Sequence, residues 1–347
     1  MDEYSVDNMN NTTPVQFEEE KVCFKVDIFP LFVFAFVVNF LALIAVFKAK
    51  PRISTPTSAK QIHLLICCLA VSDTASLGLQ CVMPVASFIN CGWWGGRITC
   101  GIFGYVNAIF ILWSAWIVSL LSFQRFFATA FPFQHQRNFT MKKIKTAVVF
   151  IFFMLCFFFT PPFFGVGAFV YYDTGQFCSL SLTPTGKSDT IFLGILVTQG
   201  VTCVSAVLVF NIHVVESLKT RRTPFHGSTR RAMEDTTATF VSLTKAVAFV
   251  FCLCNIPLLI RIAVDLFKQT SHEDLGLEHT LTMALMFLNT LANPFIYVAC
   301  RRRYRRSLLR LFCFGQRKGI TRVYFYEGTG TSKPVHTLRC QGETTVF

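Results

Sequence analysis

Asp73, in the stretch LAVSDTASL, stands in the middle of a long apolar run. It is the only acid placed deep inside any such run of this 347-residue chain. A carboxylate among apolar side chains is costly unless it is paired, hydrogen-bonded or neutralised by a cation. One acid cannot do the proton sharing of an aspartyl protease, which needs two carboxylates side by side. Asp265 does not supply the second, because it lies near the end of another run. No HExxH, nucleophile motif or glycine-rich phosphate loop occurs either, so the residues point away from an enzyme. The other polar residues at mid-depth are Ser114, Asn289 and Asn293. Arg125 poses a converse question, since it follows directly on a long apolar run. A guanidinium is costly in hydrocarbon and ordinary at a membrane surface, where it can simply mark a helix end.

The elements that must position these residues follow from composition. Hydrophobic residues make up 53% of the chain and charged residues 15%, against about 25% charged in soluble domains. The net charge of +13 is not gathered into a groove or a nucleic-acid module. Seven runs reach the ~20 apolar residues that a spanning helix needs: 28–48, 62–89, 101–127, 144–170, 190–217, 238–267 and 279–299. Lys and Arg cluster after the first, third, fifth and seventh runs, and Asp2, Glu3, Asp7 and EEE at 18–20 precede the first. The positive-inside rule then puts the N-terminus outside and the C-terminus in the cytoplasm. The expected fold is an all-α membrane protein, a seven-transmembrane helix bundle with a short amphipathic eighth helix. Its parts are an extracellular tail (1–27), the membrane domain (28–299), a membrane-surface helix (300–315) and a cytoplasmic tail (316–347). The acidic start lacks the features of a cleavable signal peptide, so the first helix is expected to direct insertion. Sequons at Asn10 and Asn11 fall outside, where a glycan can be added, whereas NFT at Asn138 falls inside. Neither repeated halves nor several polar helices suggest a transporter or channel; ion flux or substrate uptake in cells expressing the chain would revive that alternative.

Several motifs stand in one order. Asn39 lies in the first run, LAVSD in the second, Arg125 closes the third, Pro257 interrupts the sixth and NPFIY ends the seventh. Together they resemble the rhodopsin-like family of G-protein-coupled receptors across the whole membrane domain. The resemblance implies a G-protein switch at Gln124, Arg125, Phe126, Asn293, Pro294 and Tyr297. Two positions depart from the family: Gln124 stands where an acid is usual, and Phe126 where a tyrosine is usual. A charge-assisted hydrogen bond is roughly twice as strong as a neutral one, so the inactive state should be held less firmly and basal signalling raised. Asp73, Ser114, Asn289 and Asn293 fall on positions that bind a sodium ion in related receptors. A hard cation suits oxygen ligands with one carboxylate, although a plain hydrogen-bonded cluster joining helices uses the same residues. Cys100 and Cys178 resemble the family's disulfide between the third helix and the second outer loop. Cys23 and Cys91, also outside, allow a second bridge. The family's CWxP is here CNIP, with Asn255 in place of the aromatic residue.

Within the family, WWGGRITC, FVYYDTGQFCSL and CNIPLLIRI resemble the prostanoid receptors. That implies an extracellular lipid-like ligand in an apolar pocket closed by the second outer loop. The branch's carboxylate-binding arginine in the seventh helix is absent, because Ala284 occupies its place. Arg261 and Arg97 are the remaining cations, with Asn107 and Gln176 as polar pocket candidates; Arg261 near a helix end can also simply snorkel outward. An orphan receptor for a peptide or another small molecule is the closer alternative; amine binding is disfavoured because the third helix has no acid. The expected partners are a heterotrimeric G protein and arrestin, at the plasma membrane. After the seventh helix, RRRYRRSLLRLFCF places Tyr304, Leu308, Leu311 and Phe312 on one face, with arginines toward anionic lipid. Cys313 is a palmitoylation candidate or a free thiol, and Thr345 and Phe347 fit the pattern of a terminus taken by a PDZ domain.

Overall fold

The structure, a computed structural model, describes residues 29–89, 93, 95–172, 177–220, 228–268, 277–300, 302–312, 323–324 and 334–335. Its long helices are α1 (Phe29–Lys48), α2 (Thr57–Ile89), α3 (Gly96–Ala130), α5 (Met141–Phe158), α6 (Lys187–Thr220), α7 (Ser228–Lys268) and α8 (Leu277–Cys300). Two short helices complete the set, α4 (Pro132–Asn138) and α9 (Arg302–Phe312). Among the described residues six helices are long and apolar enough to cross a membrane. α8 covers the seventh run, which completes the bundle of seven.

The helices pack in chain order, α1 on α2, α2 on α3, α6 on α7 and α7 on α8, with α8 returning to α1. α3 is the axis of the bundle, touching α2, α5 and α6. Its inward face carries Ile117, Val118 and Leu121 into a core with Leu65 and Leu69 of α2 and Val204 and Val207 of α6. The outward faces are equally apolar. Phe150, Phe153 and Phe157 of α5 share one exposed stripe, at the spacing of successive helical turns. A stripe of this kind would be a liability in water and is ordinary against lipid.

Three features differ from the runs read in sequence. The fourth run, expected to span 144–170, is helical only to Phe158. Thr160 precedes Pro161 and Pro162, and a proline both removes a backbone donor and disfavours the α conformation of the residue before it. A single 3-10 turn (Pro161–Phe164) follows, and Gly165 and Gly167 take φ of 88° and 80°, which side-chain-bearing residues rarely adopt. Secondly, the chain then forms an antiparallel hairpin. Strand β1 (Phe169–Tyr172) pairs with β2 (Phe177–Leu180), Phe169 opposite Leu180 and Tyr172 opposite Phe177. Thirdly, α6 and α7 reach further inward than expected, leaving only 221–227 between them. A two-residue pairing of β3 (Val323–Tyr324) and β4 (Pro334–Val335) lies in the tail.

α9 is amphipathic as its sequence implies. Tyr304 and Ser307 are buried, while Arg305, Arg306 and Arg310 are exposed. Tyr304 is anchored to α2: its hydroxyl lies 2.8 Å from His63 Nδ1 and its ring stacks on the imidazole.

Candidate functional site

The polar residues of the helices fall into separate groups. At mid-depth Asp73 is 1% exposed. Its Oδ1 accepts from Ser114 Oγ at 2.8 Å and its Oδ2 from Asn293 Nδ2 at 2.9 Å. One carboxylate thereby ties α2 to α3 and α8. Asn289 is buried one turn earlier on α8, on the same face as Asn293. Asn39 adds a tie from α1, donating to the Ala35 carbonyl at 3.0 Å and the Thr290 carbonyl at 3.3 Å. Asn107, expected in the pocket, faces α2 instead: its Oδ1 accepts from Ser76 Oγ at 2.8 Å and Gln80 Nε2 at 3.2 Å.

At the inner end, Gln124 is fully buried and its amide meets α2 and α4. Its Nε2 donates to Gln61 Oε1 at 3.3 Å and the Ser58 carbonyl at 3.5 Å, and lies 3.4 Å from His135 Nε2. Gln61 in turn donates to the Phe139 carbonyl at 2.7 Å. His135 stacks almost flat on Phe139, and burial holds its pKa below the usual imidazole value, so that the neutral ring is favoured. Gln61 and His135 were not legible as site residues. Nothing in their spacing signals that an α2 side chain reaches the second inner loop. Arg125 beside them is buried, and its carbonyl accepts from Thr129 Oγ1 at 2.7 Å. Phe126 turns toward α6, stacking on Phe210 and packing against His213. Pro294 is buried in α8, and Tyr297 lies on the same helix.

Gln124 is neutral where it borders Arg125, and its Oε1 has no hydrogen-bond partner among the described residues. Gln124→Glu would supply a charge-assisted acceptor there, worth ~1 kcal/mol more than the amide. Ligand-free cAMP or calcium signalling should fall about fivefold. Unchanged basal signal at equal surface expression would show that this residue does not hold the inactive state.

On the outer side, the disulfide Cys100–Cys178 brings β2 onto α3, with the two Cα atoms 5.3 Å apart. The hairpin lies so close that a Cβ at Gly104 would come within 2.8 Å of the Phe169 ring. Below it, between α3, α6 and α7, is a cavity of about 120 Å³. Its walls are apolar, Leu112, Phe159, Leu180 and Phe251 among them. Among the described residues, apart from the Cys203 thiol, only Ser179 and Asn255 bring polar side chains. Asn255, at the position the family gives to an aromatic residue, donates to the Phe251 carbonyl at 2.7 Å. Gly200 also lines this space, and a Cβ there would collide with Leu259 across it.

None of the cations proposed for a ligand carboxylate lines this cavity. Arg97 is exposed on the first turn of α3. Arg261 is mostly buried and forms an ion pair with Asp265, Nε to Oδ2 at 3.2 Å, so it does not snorkel outward. The signal for this pair was present in sequence, since opposite charges four residues apart share a helix face. Gln176, the prospective Cys23–Cys91 bridge, the sequons at Asn10 and Asn11, Cys313, Thr345 and Phe347 lie outside the described residues.

A bundle of seven helices with a buried Asp73 cluster, an arginine at the inner end of α3 and a hairpin bridged to α3 defines a seven-helix membrane receptor. Residues 38–297 match the family described as 7 transmembrane receptor (rhodopsin family), and the chain belongs to that rhodopsin-like family of G-protein-coupled receptors. Among curated relatives, a Gq-coupled rhodopsin of Mizuhopecten yessoensis is 24% identical over 273 residues, covering 72% of this chain and 53% of that protein. The chain thus spans about half of that relative's length. G-protein coupled receptor 52 of Mus musculus is 23% identical over 303 residues, covering 84% and 82%. The prostaglandin E2 receptor EP3 subtype of Bos taurus is also 23% identical, covering 80% of this chain and 71% of that one. Among solved structures, squid rhodopsin superposes with a TM-score of 0.66 at 15% identity, covering 82% of this chain and 80% of that one.

Proposed function

We propose that this receptor is switched from outside by an apolar, lipid-like ligand seated in the α3–α6–α7 cavity, and that it activates a heterotrimeric G protein from the cytoplasmic side of the plasma membrane. The observation that carries this is the cavity itself: its described walls hold an apolar body, with Ser179 and Asn255 as polar side chains to orient it. A pocket of this kind selects a small apolar molecule over a peptide. The EP3 relative, whose name gives prostaglandin E2 as its ligand, supports the same class. A ligand between α3 and the α6–α7 pair favours whichever arrangement it fits better. Parting of the inner ends then brings Arg125 and Tyr297 to the G protein, with arrestin following. Glycans at Asn10 or Asn11, a palmitoyl group on Cys313 and PDZ capture of the C-terminus belong to the same reading.

The test is cAMP and calcium in cells expressing the chain, first without ligand and then with prostanoids, fatty acids and their neutral alcohols. A response that disappears in Arg125→Ala at equal surface expression supports the reading. Silence of the wild type across the whole panel overturns the lipid class. An acidic prostanoid would additionally require Arg261 to leave Asp265, and Arg261→Ala would then abolish the response to acids.

The mid-depth cluster also fits a sodium ion. Asp73 has lone pairs beyond the two hydrogen bonds it accepts, and its charge would neutralise the ion; Ser114 and an amide oxygen of Asn289 or Asn293 would complete an oxygen set. The purified receptor is expected to melt at a higher temperature in sodium chloride than in potassium chloride. Asp73→Asn should erase the difference, and equal melting of the wild type in both salts rules the ion out.

A further inference from the structure

Asp265 is the charged group for which the reading above gives no role. Leu258 and Ile262 line the cavity, and Asp265 follows them on the same helical face, at the seventh and third residue onward. It therefore stands one turn outward of Ile262, beyond the residues that line the cavity. It is 1% exposed, and neither carboxylate oxygen has a hydrogen-bond donor among the described residues. Its charge is offset by Arg261, whose Nε lies 3.2 Å from Oδ2. From the hairpin side comes Tyr172, whose hydroxyl donates to the Leu180 carbonyl at 3.2 Å. Burial first, and then the nearby Asp265 charge, hold the Tyr172 phenol well above its usual pKa. Tyr172 thus links the acid to the lid, and Leu180, which accepts its hydrogen bond, belongs to both lid and cavity wall.

A buried carboxylate whose oxygens accept no hydrogen bond is an unmet demand. What meets it depends on charge. The Arg261–Asp265 pair is neutral as a unit. A ligand carboxylate would set two anions side by side in a medium of low dielectric, and an ammonium would leave an uncompensated buried cation. An uncharged hydroxyl supplies the missing donor and leaves the pair neutral. We infer that Asp265 is a specificity-determining residue that accepts a hydrogen bond from a hydroxyl at the polar end of the ligand, so that the receptor selects uncharged, hydroxylated apolar molecules over fatty acids and amines. This rests on the cavity being the ligand site, and it narrows the ligand class proposed for it.

The experiment uses the full chain in cells, with dodecanol, dodecanoic acid and dodecylamine as probes of equal length. In the wild type, dodecanol should be at least about tenfold more potent than either charged probe. Asp265→Asn removes the anion and leaves Arg261, so potency should move toward dodecanoic acid by about tenfold. Arg261→Gln leaves the anion alone, so potency should move toward dodecylamine. The opposite shifts keep the inference testable if one of the two variants fails to reach the surface. Gly200→Phe separates this inference from the reading beneath it. If dodecanol still acts on Gly200→Phe, the cavity is not the ligand site and both fall. If Gly200→Phe silences dodecanol while the two charge variants leave the order of the probes unchanged, Asp265 does not read the ligand and only this inference falls. A wild type that prefers dodecanoic acid, or that answers none of the three, also overturns it.

Discussion

Gly200→Phe is expected to abolish the response to every agonist of this receptor, a loss of more than about hundredfold in potency, while the protein still reaches the cell surface. Gly200 sits on α6 facing Leu259 of α7, and both line the cavity. Even a methyl group at 200 would displace Leu259, and a benzyl group would occupy the space a ligand needs. The change pushes the Leu259 side chain aside, and overpacking of this kind typically costs about 1–3 kcal/mol, which the fold should survive. Dose–response curves at matched surface expression check it. Gly194 lies two turns earlier on the same helix, and a Cβ added there would meet nothing within 4 Å, so Gly194→Ala should signal as the wild type does. A Gly200→Phe receptor with normal potency would place the ligand elsewhere.

The second large effect concerns stability. The Cys100–Cys178 bridge closes a loop of 78 residues, for which the chain-entropy relation gives about 4–5 kcal/mol. Measured removals cost roughly 2–5 kcal/mol, a large share of the ~5–15 kcal/mol by which domains are usually stable. The bridge also sets the lid, because Cys178 is fully buried, and its N–H lies 3.4 Å from Met83 Sδ. Cys178→Ser should therefore lower the melting temperature sharply and remove most receptor from the surface. The double variant with Cys100→Ser should do no worse, since either change opens the same bond. Thermal melting of the purified receptor under non-reducing conditions, with surface labelling in parallel, measures both effects. Equal melting of variant and wild type would mean that the bridge does not hold the lid.

The bundle was legible because the membrane simplifies the problem. In hydrocarbon every backbone donor must be satisfied within its own segment, so an apolar run long enough to cross must be a helix. Lys and Arg in the connections then give the orientation expected of it. The motifs around Asn39, Asp73, Arg125, Pro257 and Asn293 added the family, and proline and glycine chemistry carried the signal at 160–167, where the fourth helix stops short. The sites were less legible. Asp73 and Asn293 are 220 positions apart, yet their side chains meet at 2.9 Å. Whether they meet depends on how α2 and α8 are rotated about their axes. Lipid-facing and core-facing positions are about equally apolar, so hydropathy does not encode that rotation. For the same reason Gln124 was expected as an amide partner of Arg125 and is found to contact Gln61 and stand beside His135, and Asn107 turns to α2 rather than to the cavity. The Arg261–Asp265 pair was within reach, because its spacing is local. The sequence by itself determined the seven helices and the family. Only the tertiary structure decided which polar groups meet and where the cavity lies, since those depend on packing between helices whose surfaces look alike in one dimension.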